Sequence, residues 1–210
     1  MVAIILHGLL RQVNWQQNNK RKENKIMKKN LGAKAILYPM PVLVVGTFDE
    51  NGVANAMTAA WGGISEETEI TICISDEHKT ADNFQKHSGF TVGIADVANM
   101  KAADFVGVVS GNEDPEKLKK TGWTIEKSSF VDAPIFKELP MVLECEVISY
   151  DASTCRLIGR IINVAAEERI FNADGTMDMG KLNPITYDPI NHTYHAIGEC
   201  VGKAFVNTKL

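Results

Sequence analysis

The chain has 210 residues, with 22 Lys and Arg against 26 Asp and Glu for a formal charge of −4. Its 45% apolar and 23% charged residues are the ordinary globular mix, which excludes an intrinsically disordered chain and a disulfide-framed miniature and leaves one compact domain, with or without appendages. The slightly acidic balance offers no general field for DNA or RNA, so a dedicated nucleic-acid binder is set aside.

Residues 1–10 (MVAIILHGLL) are apolar, but their basic residues follow rather than precede them, the reverse of a signal peptide. Ten residues also fall short of the roughly 20 that cross a membrane. Residues 15–25 (WQQNNKRKENK) read as a solvated linker. Patterned sequence begins after Met27. Residues 1–26 are therefore expected to be an extension, from an upstream start or a linker, with a short amphipathic anchor helix as the alternative; residues 27–210 form the domain. Cys73, Cys145, Cys155 and Cys200 lie far apart with no C-x-x-C pair, so neither zinc nor a dithiol centre is expected. They read as buried thiols in a reducing cytoplasm.

In chain order, 42–48 (VLVVGTF) is a β-branched run, Asp49-Glu50-Asn51-Gly52 a turn, and 53–60 a second extended segment, together a hairpin. The alternation of Ile70, Ile72 and Ile74 predicts a half-buried strand over 69–75. Residues 80–87 read as a short helix capped by Thr80, 89–95 as a strand, and 97–109 as a second helix. Asp114-Pro115 opens a third short helix through Lys120. Residues 143–147 alternate strictly and a turn at 151–153 leads into the apolar run 156–165, so these two are expected to pair antiparallel. After the turn at 172–175 the tail reads as irregular, broken by Pro184 and Pro189. Strands outnumber helices, which favours a β-barrel with helical inserts over a βαβ succession.

Several chemistries lack their residues. No G-x-G-x-x-G follows a strand, and 198–203 (GECVGK) has its glycines one position too close for a P-loop, with Ala204 where magnesium needs a hydroxyl. His192 and His195 fall on opposite faces of an extended segment and so do not make a metal pair. No G-x-S-x-G elbow exists. Two segments remain. Residues 55–63 (NAMTAAWGG) expose small residues beside Asn55, Thr58 and Trp61, giving either a backbone platform for a flat ligand or an ordinary barrel strand with Trp61 in the core. Residues 75–80 (SDEHKT) join a strand end to a helix start, where free helix N–H groups, the Ser75 and Thr80 hydroxyls and the Lys79 ammonium either converge on a phosphate or form a capped surface turn.

Asn55-x-x-Thr58-x-x-Trp61, then 75–80, Phe84 and 89–94 (GFTVGI), then 133–140 (APIFKELP), 143–147 (LECEV) and 159–164 (GRIINV) together resemble the flavin reductase-like family of FMN-binding split barrels, in its flavoredoxin-like branch. The resemblance covers about residues 30–206. It implies a Greek-key split β-barrel, mainly β with short helical inserts, usually a homodimer, binding FMN non-covalently near the subunit interface. Thr58, Ala59, Ala60 and Trp61 would line the ring system and ribityl chain, Ser75, His78, Lys79 and Thr80 would hold the phosphate, and Asn55 would also bind the cofactor. Tyr187 and Tyr194, with His192 between them, match more loosely a C-terminal stretch that borders the flavin or packs the barrel rim. His78 departs from the arginine that many relatives carry, and an imidazole is neither permanently charged nor a bidentate fork. The implied activity moves reducing equivalents from NAD(P)H through FMN to an acceptor. The rival readings are an FMN electron carrier serving a redox partner protein, and a non-catalytic flavin-binding module. No residue is singled out as catalytic, and neither metal, nucleic acid nor membrane is expected as a partner.

Overall fold

The computed structural model describes residues 27–206. The chain divides into two units, 1–35 and 36–210. In the first, the described residues 27–35 carry no helix or strand; the extension at 1–26 lies outside the described residues.

The second unit runs β1 (Met40–Pro41), β2 (Leu43–Phe48), β3 (Ala54–Ala59), β4 (Gly62–Glu66), β5 (Glu69–Cys73), α1 (Lys79–Lys86), β6 (Gly89–Ile94) and α2 (Met100–Val108). A 3-10 turn at Lys117–Lys120 leads to β7 (Ile125–Lys127), β8 (Pro134–Phe136), β9 (Met141–Asp151) and β10 (Arg156–Ala166). After a second 3-10 turn, Glu168–Ile170, come α3 (Met179–Leu182), β11 (Ile185–Asp188) and β12 (Thr193–Ala196).

Seven strands form one antiparallel sheet in the order β3-β2-β6-β9-β10-β5-β4. The two edge strands, β3 and β4, are joined only by Ala60 and Trp61. Three Cα steps span at most about 11 Å, whereas six strand spacings in a flat sheet put the edges about 29 Å apart. The sheet must therefore curl until its edges meet. They do: a Cβ on Gly62 would lie 3.1 Å from Leu43 Cδ1 on β2. This is the split β-barrel the sequence predicts, mainly β with short helical inserts.

β2 shows why its apolar run is continuous rather than alternating. Leu43 and Val45 point into the barrel with Ile72, Phe90, Val92 and Leu157. Val42 and Val44 point outward under Ala103 and Val106 of α2, with Trp123 and Phe136 beyond. A strand covered on both faces needs apolar side chains on both. α1 closes the barrel through Phe84, whose ring meets Tyr150 edge-on at 4.8 Å. Glu144 is a buried carboxylate on the outer face of β9, accepting from Asn163 Nδ2 at 2.6 Å and from the Ser128 hydroxyl. Because Ser128 Oγ also accepts from the amides of Phe130 and Val131, this network ties the β7–β8 connection to the barrel wall.

The structure corrects several expectations. The helix expected at 80–87 begins one residue earlier, with His78 at the N-cap, because the Thr80 hydroxyl is engaged by Asn55 instead of capping. The helix expected at 97–109 is shorter, since Asp96 takes up the Asn99 amide in a turn before it. The helix expected from Asp114-Pro115 reduces to the 3-10 turn. Asp114 spends its carboxylate on the Glu116 amide and Lys120. The tail expected to be irregular forms the β11–β12 hairpin, which pairs with β1; Pro184 and Pro189 bound β11 rather than interrupting it. Of the four cysteines, none paired, Cys145 alone is buried and Cys200 is exposed. No helix among the described residues is long and apolar enough to cross a membrane.

Candidate functional site

β3 and the start of α1 build one end of the site. Asn55 is 7% exposed, and its Nδ2 donates to Thr80 Oγ1 at 2.9 Å, fixing the strand to the first turn of α1. His78 accepts from the Ala81 amide at 2.8 Å, while the amides of Lys79 and Thr80 have no acceptor among the described residues. Those are the unsatisfied donors every helix N-terminus carries, and they attract anions. Facing them, just beyond α2, is Gly111, where a Cβ would sit 2.4 Å from Asn55 Oδ1 and 3.3 Å from Lys79 Cβ. The absent side chain leaves a cleft of about 70 Å³ lined by Asn55, His78, Lys79, Thr80, Ser110 and Lys117. At about 30 Å³ per water, this is room for a group the size of phosphate.

The second end is larger and flatter. α2 lies directly on β3 at Gly107, where a Cβ would come within 3.0 Å of Thr58 Cβ, and the Thr58 hydroxyl donates to the Ala103 carbonyl. Beside that crossing a cleft of about 310 Å³ is lined by Thr58, Ala60, Asp104, Tyr187, His192 and Tyr194 among others, and it shares Gly107 and Val108 with the first cleft. Tyr194 OH donates to Asp104 Oδ1 at 2.8 Å; burial, and then that hydrogen bond, push the phenol above its ordinary range, so it stays protonated. Tyr187 OH and His192 Nδ1 are 2.8 Å apart, and the two tyrosine rings stand 5.7 Å apart, tilted by 48°. The C-terminal hairpin thus supplies one wall.

A family model described as "Flavin reductase like domain" matches residues 35–189. The chain belongs to this family. It is 34% identical to the flavoredoxin of Desulfovibrio vulgaris (Miyazaki F), with a TM-score of 0.83 over 87% of this chain and 100% of that one. The fold is also that of a flavoredoxin from Methanosarcina acetivorans (23% identity, TM-score 0.77, 87% of this chain and 98% of that one). It is likewise that of nitrilotriacetate monooxygenase component B from Bacillus cereus (21% identity, TM-score 0.70, 86% and 100%).

Within this flavin reductase-like domain the expected residues divide. Asn55, His78, Lys79 and Thr80 meet at the small cleft, and Thr58, Ala60 and Tyr194 at the large one. Ser75 lines neither; its hydroxyl accepts from the Glu77 amide. The Ala59 side chain turns into the barrel core. Trp61 is 56% exposed, which removes the alternative of a core tryptophan. His192 lies in the turn between β11 and β12 with φ of 54°. Neither it nor His195 belongs to a group able to hold a metal among the described residues. Sequence reading missed Asp104, Gly107, Gly111 and Lys117. The Ser110-Gly111 pair directly after a helix was the available signal, since glycine there permits close backbone approach.

Proposed function

We propose that the chain binds FMN non-covalently along the two joined clefts, with the phosphate at the N-terminus of α1 and the ring system against the stretch 58–61, and uses it to pass reducing equivalents from NAD(P)H to an acceptor. The observation that carries the reading is the small cleft. Two unpaired amides, the Asn55 amide group and the Lys79 side chain line a volume that glycine keeps open, which is the chemistry and size of a phosphate site. FMN, when bound, supplies the hydride and electron chemistry. The chain's own residues bind and orient: Thr58 of β3 and Ala60 just after it bound the large cleft, while Tyr194, held protonated by burial and by Asp104, and the Tyr187–His192 pair offer hydroxyl and ring-nitrogen hydrogen bonds from the C-terminal hairpin. A second reading, an FMN electron carrier without direct NAD(P)H use, is favoured by the 34% identity to a flavoredoxin. NADH oxidation measured with and without added FMN separates the two.

Lys79→Ala is expected to weaken FMN about tenfold to a hundredfold, since a charge-assisted contact contributes about 1.5–3 kcal/mol. Riboflavin, which lacks the phosphate, should bind nearly unchanged. Equal weakening of both flavins in a fluorescence titration would place the phosphate elsewhere.

The same reading makes the protein a homodimer. A groove of about 670 Å³, larger than either cleft but with few polar groups, is lined by Ile64, Leu143, Ile161, Ile162 and Val164. Ile64 is 65% exposed, and residues 60–64 carry the wall of the large cleft directly into this groove. A second copy seated there would cover apolar surface next to the flavin. Light scattering that shows only monomer at micromolar concentration with FMN bound would contradict this. We assign the protein to the cytoplasm, which the unpaired thiols support; recovery from a secreted fraction would contradict it.

A further inference from the structure

Beyond β12 the chain continues as an arm, 197–206, in which every residue is exposed. The Ile197 amide donates to the Pro184 carbonyl at 3.2 Å; past that point the only hydrogen bond among the described residues is local, from the Cys200 thiol to the Gly202 carbonyl. The arm is nevertheless apolar at a fixed interval. Ile197, Val201 and Phe205 recur every fourth residue, and in an extended chain residues four apart share a face. Val201 is 103% exposed and Phe205 104%. Single exposed apolar residues are ordinary, but Phe205 also has a φ of 62°, a left-handed backbone that a bulky residue keeps only where its surroundings impose it. None of the hydrogen bonds among the described residues imposes it.

The apolar groove lined by Ile64, Leu143, Ile161, Ile162 and Val164 is open in the same chain. Its rim residue Pro41 lies on β1, only two strands from β12, where the arm begins. The arm does not turn back into it, since Val201 and Phe205 stay fully exposed. Charge also complements across the two surfaces. The β4–β5 turn beside the groove carries Glu66, Glu67 and Glu69, of which Glu67 lines it, and none of the three is in an ion pair among the described residues. The arm carries Lys203, exposed between Val201 and Phe205.

We propose that the arm crosses to a second copy of this chain and lays Val201 and Phe205 in that copy's groove, with Lys203 toward Glu67 on its rim. Each copy gives one arm and receives one, as a two-fold interface requires. Ten extended residues reach at most about 36 Å, enough to lie along a groove on a neighbouring subunit. This rests on the homodimer reading above and adds to it the segment that holds the two copies together.

The oligomeric state of the full chain is measured by light scattering and sedimentation over a dilution series, for the wild type and for a variant combining Val201→Asp and Phe205→Asp. Both side chains are fully exposed in the single chain, so its own packing does not depend on them. The expected result is a wild-type dimer whose dissociation constant rises at least a hundredfold in the variant, since each dimer loses the apolar contacts of both arms. Placement is read by cross-linking in a Cys200→Ser background, mixing chains that carry Val201→Cys with chains that carry Ile162→Cys under a mild oxidant. A covalent dimer that forms only in the mixture is expected. A variant that dimerises as tightly as the wild type, or a mixture that gives no covalent dimer, overturns the proposal and leaves the homodimer reading standing. A chain bearing both introduced cysteines that closes only on itself would put the arm in its own groove and overturn it as well. If the aspartate variant aggregates, the cross-link decides. A wild-type chain that is monomeric at micromolar concentration overturns the homodimer reading, and the arm with it.

Discussion

Gly159→Val is expected to lower the melting temperature by about 6–12 °C, a loss near 3 kcal/mol for a domain of this size. Gly159 sits in β10 opposite Ile70 of β5 and Val147 of β9, at a register shift in the β9–β10 ladder. A Cβ there would lie 2.2 Å from Phe90 Cζ and 2.6 Å from Cε1. Phe90 is fully buried among Ile72, Val92, Leu143 and Leu157, so the ring cannot swing away without opening the barrel. Interiors are packed too densely to absorb such an overlap, and either the ring leaves its rotamer or β10 shifts against two neighbours. Calorimetry or a thermal melt reads the effect, and a fall below about 2 °C would show that the barrel centre is looser than these distances require.

Gly111→Val should weaken FMN at least a hundredfold while lowering the melting temperature by only about 2–6 °C, the cost of the one buried bond it breaks. Gly111 lies in a connection outside every helix and strand, so no element is interrupted. Its Cβ, however, would occupy the place of Asn55 Oδ1, at 2.4 Å, and press on Asn55 Cγ at 3.2 Å. Asn55 would have to turn, giving up its bond to Thr80, and the two extra methyl groups would enter a cleft of only about 70 Å³. Losing the phosphate contacts together corresponds to about 2.7 kcal/mol or more. Gly111→Ala should fall between. An FMN affinity unchanged in the valine variant would remove the small cleft from the site.

The barrel was legible in the sequence because its strands carry their environment in their pattern. Ile70, Ile72 and Ile74 alternate where β5 has one face on the core, and 42–48 is continuously apolar where β2 is covered on both. The β11–β12 hairpin was not, because its segments are only four residues each, Pro184 and Pro189 read as breaks, and their pairing with β1 lies far away in sequence. Thr80 illustrates a different limit. Capping rules choose it by residue type, but a long-range bond from Asn55 claims its hydroxyl and moves the cap to His78. Lys117 was hidden for a similar reason: in the run 116–120 (EKLKK) it reads as one of several solvated lysines, and only the packing of the 3-10 turn under α2 buries it.

FMN held in the joined clefts should stay with the chain when free flavin is removed. Purified protein is equilibrated with FMN, desalted, and its visible spectrum and flavin content are measured, with riboflavin in a parallel sample. The expected result is a yellow protein fraction carrying about one FMN per chain and much less riboflavin, since the phosphate contacts contribute the difference. Flavin eluting entirely with the small molecules, with fluorescence unquenched throughout a titration, would contradict it.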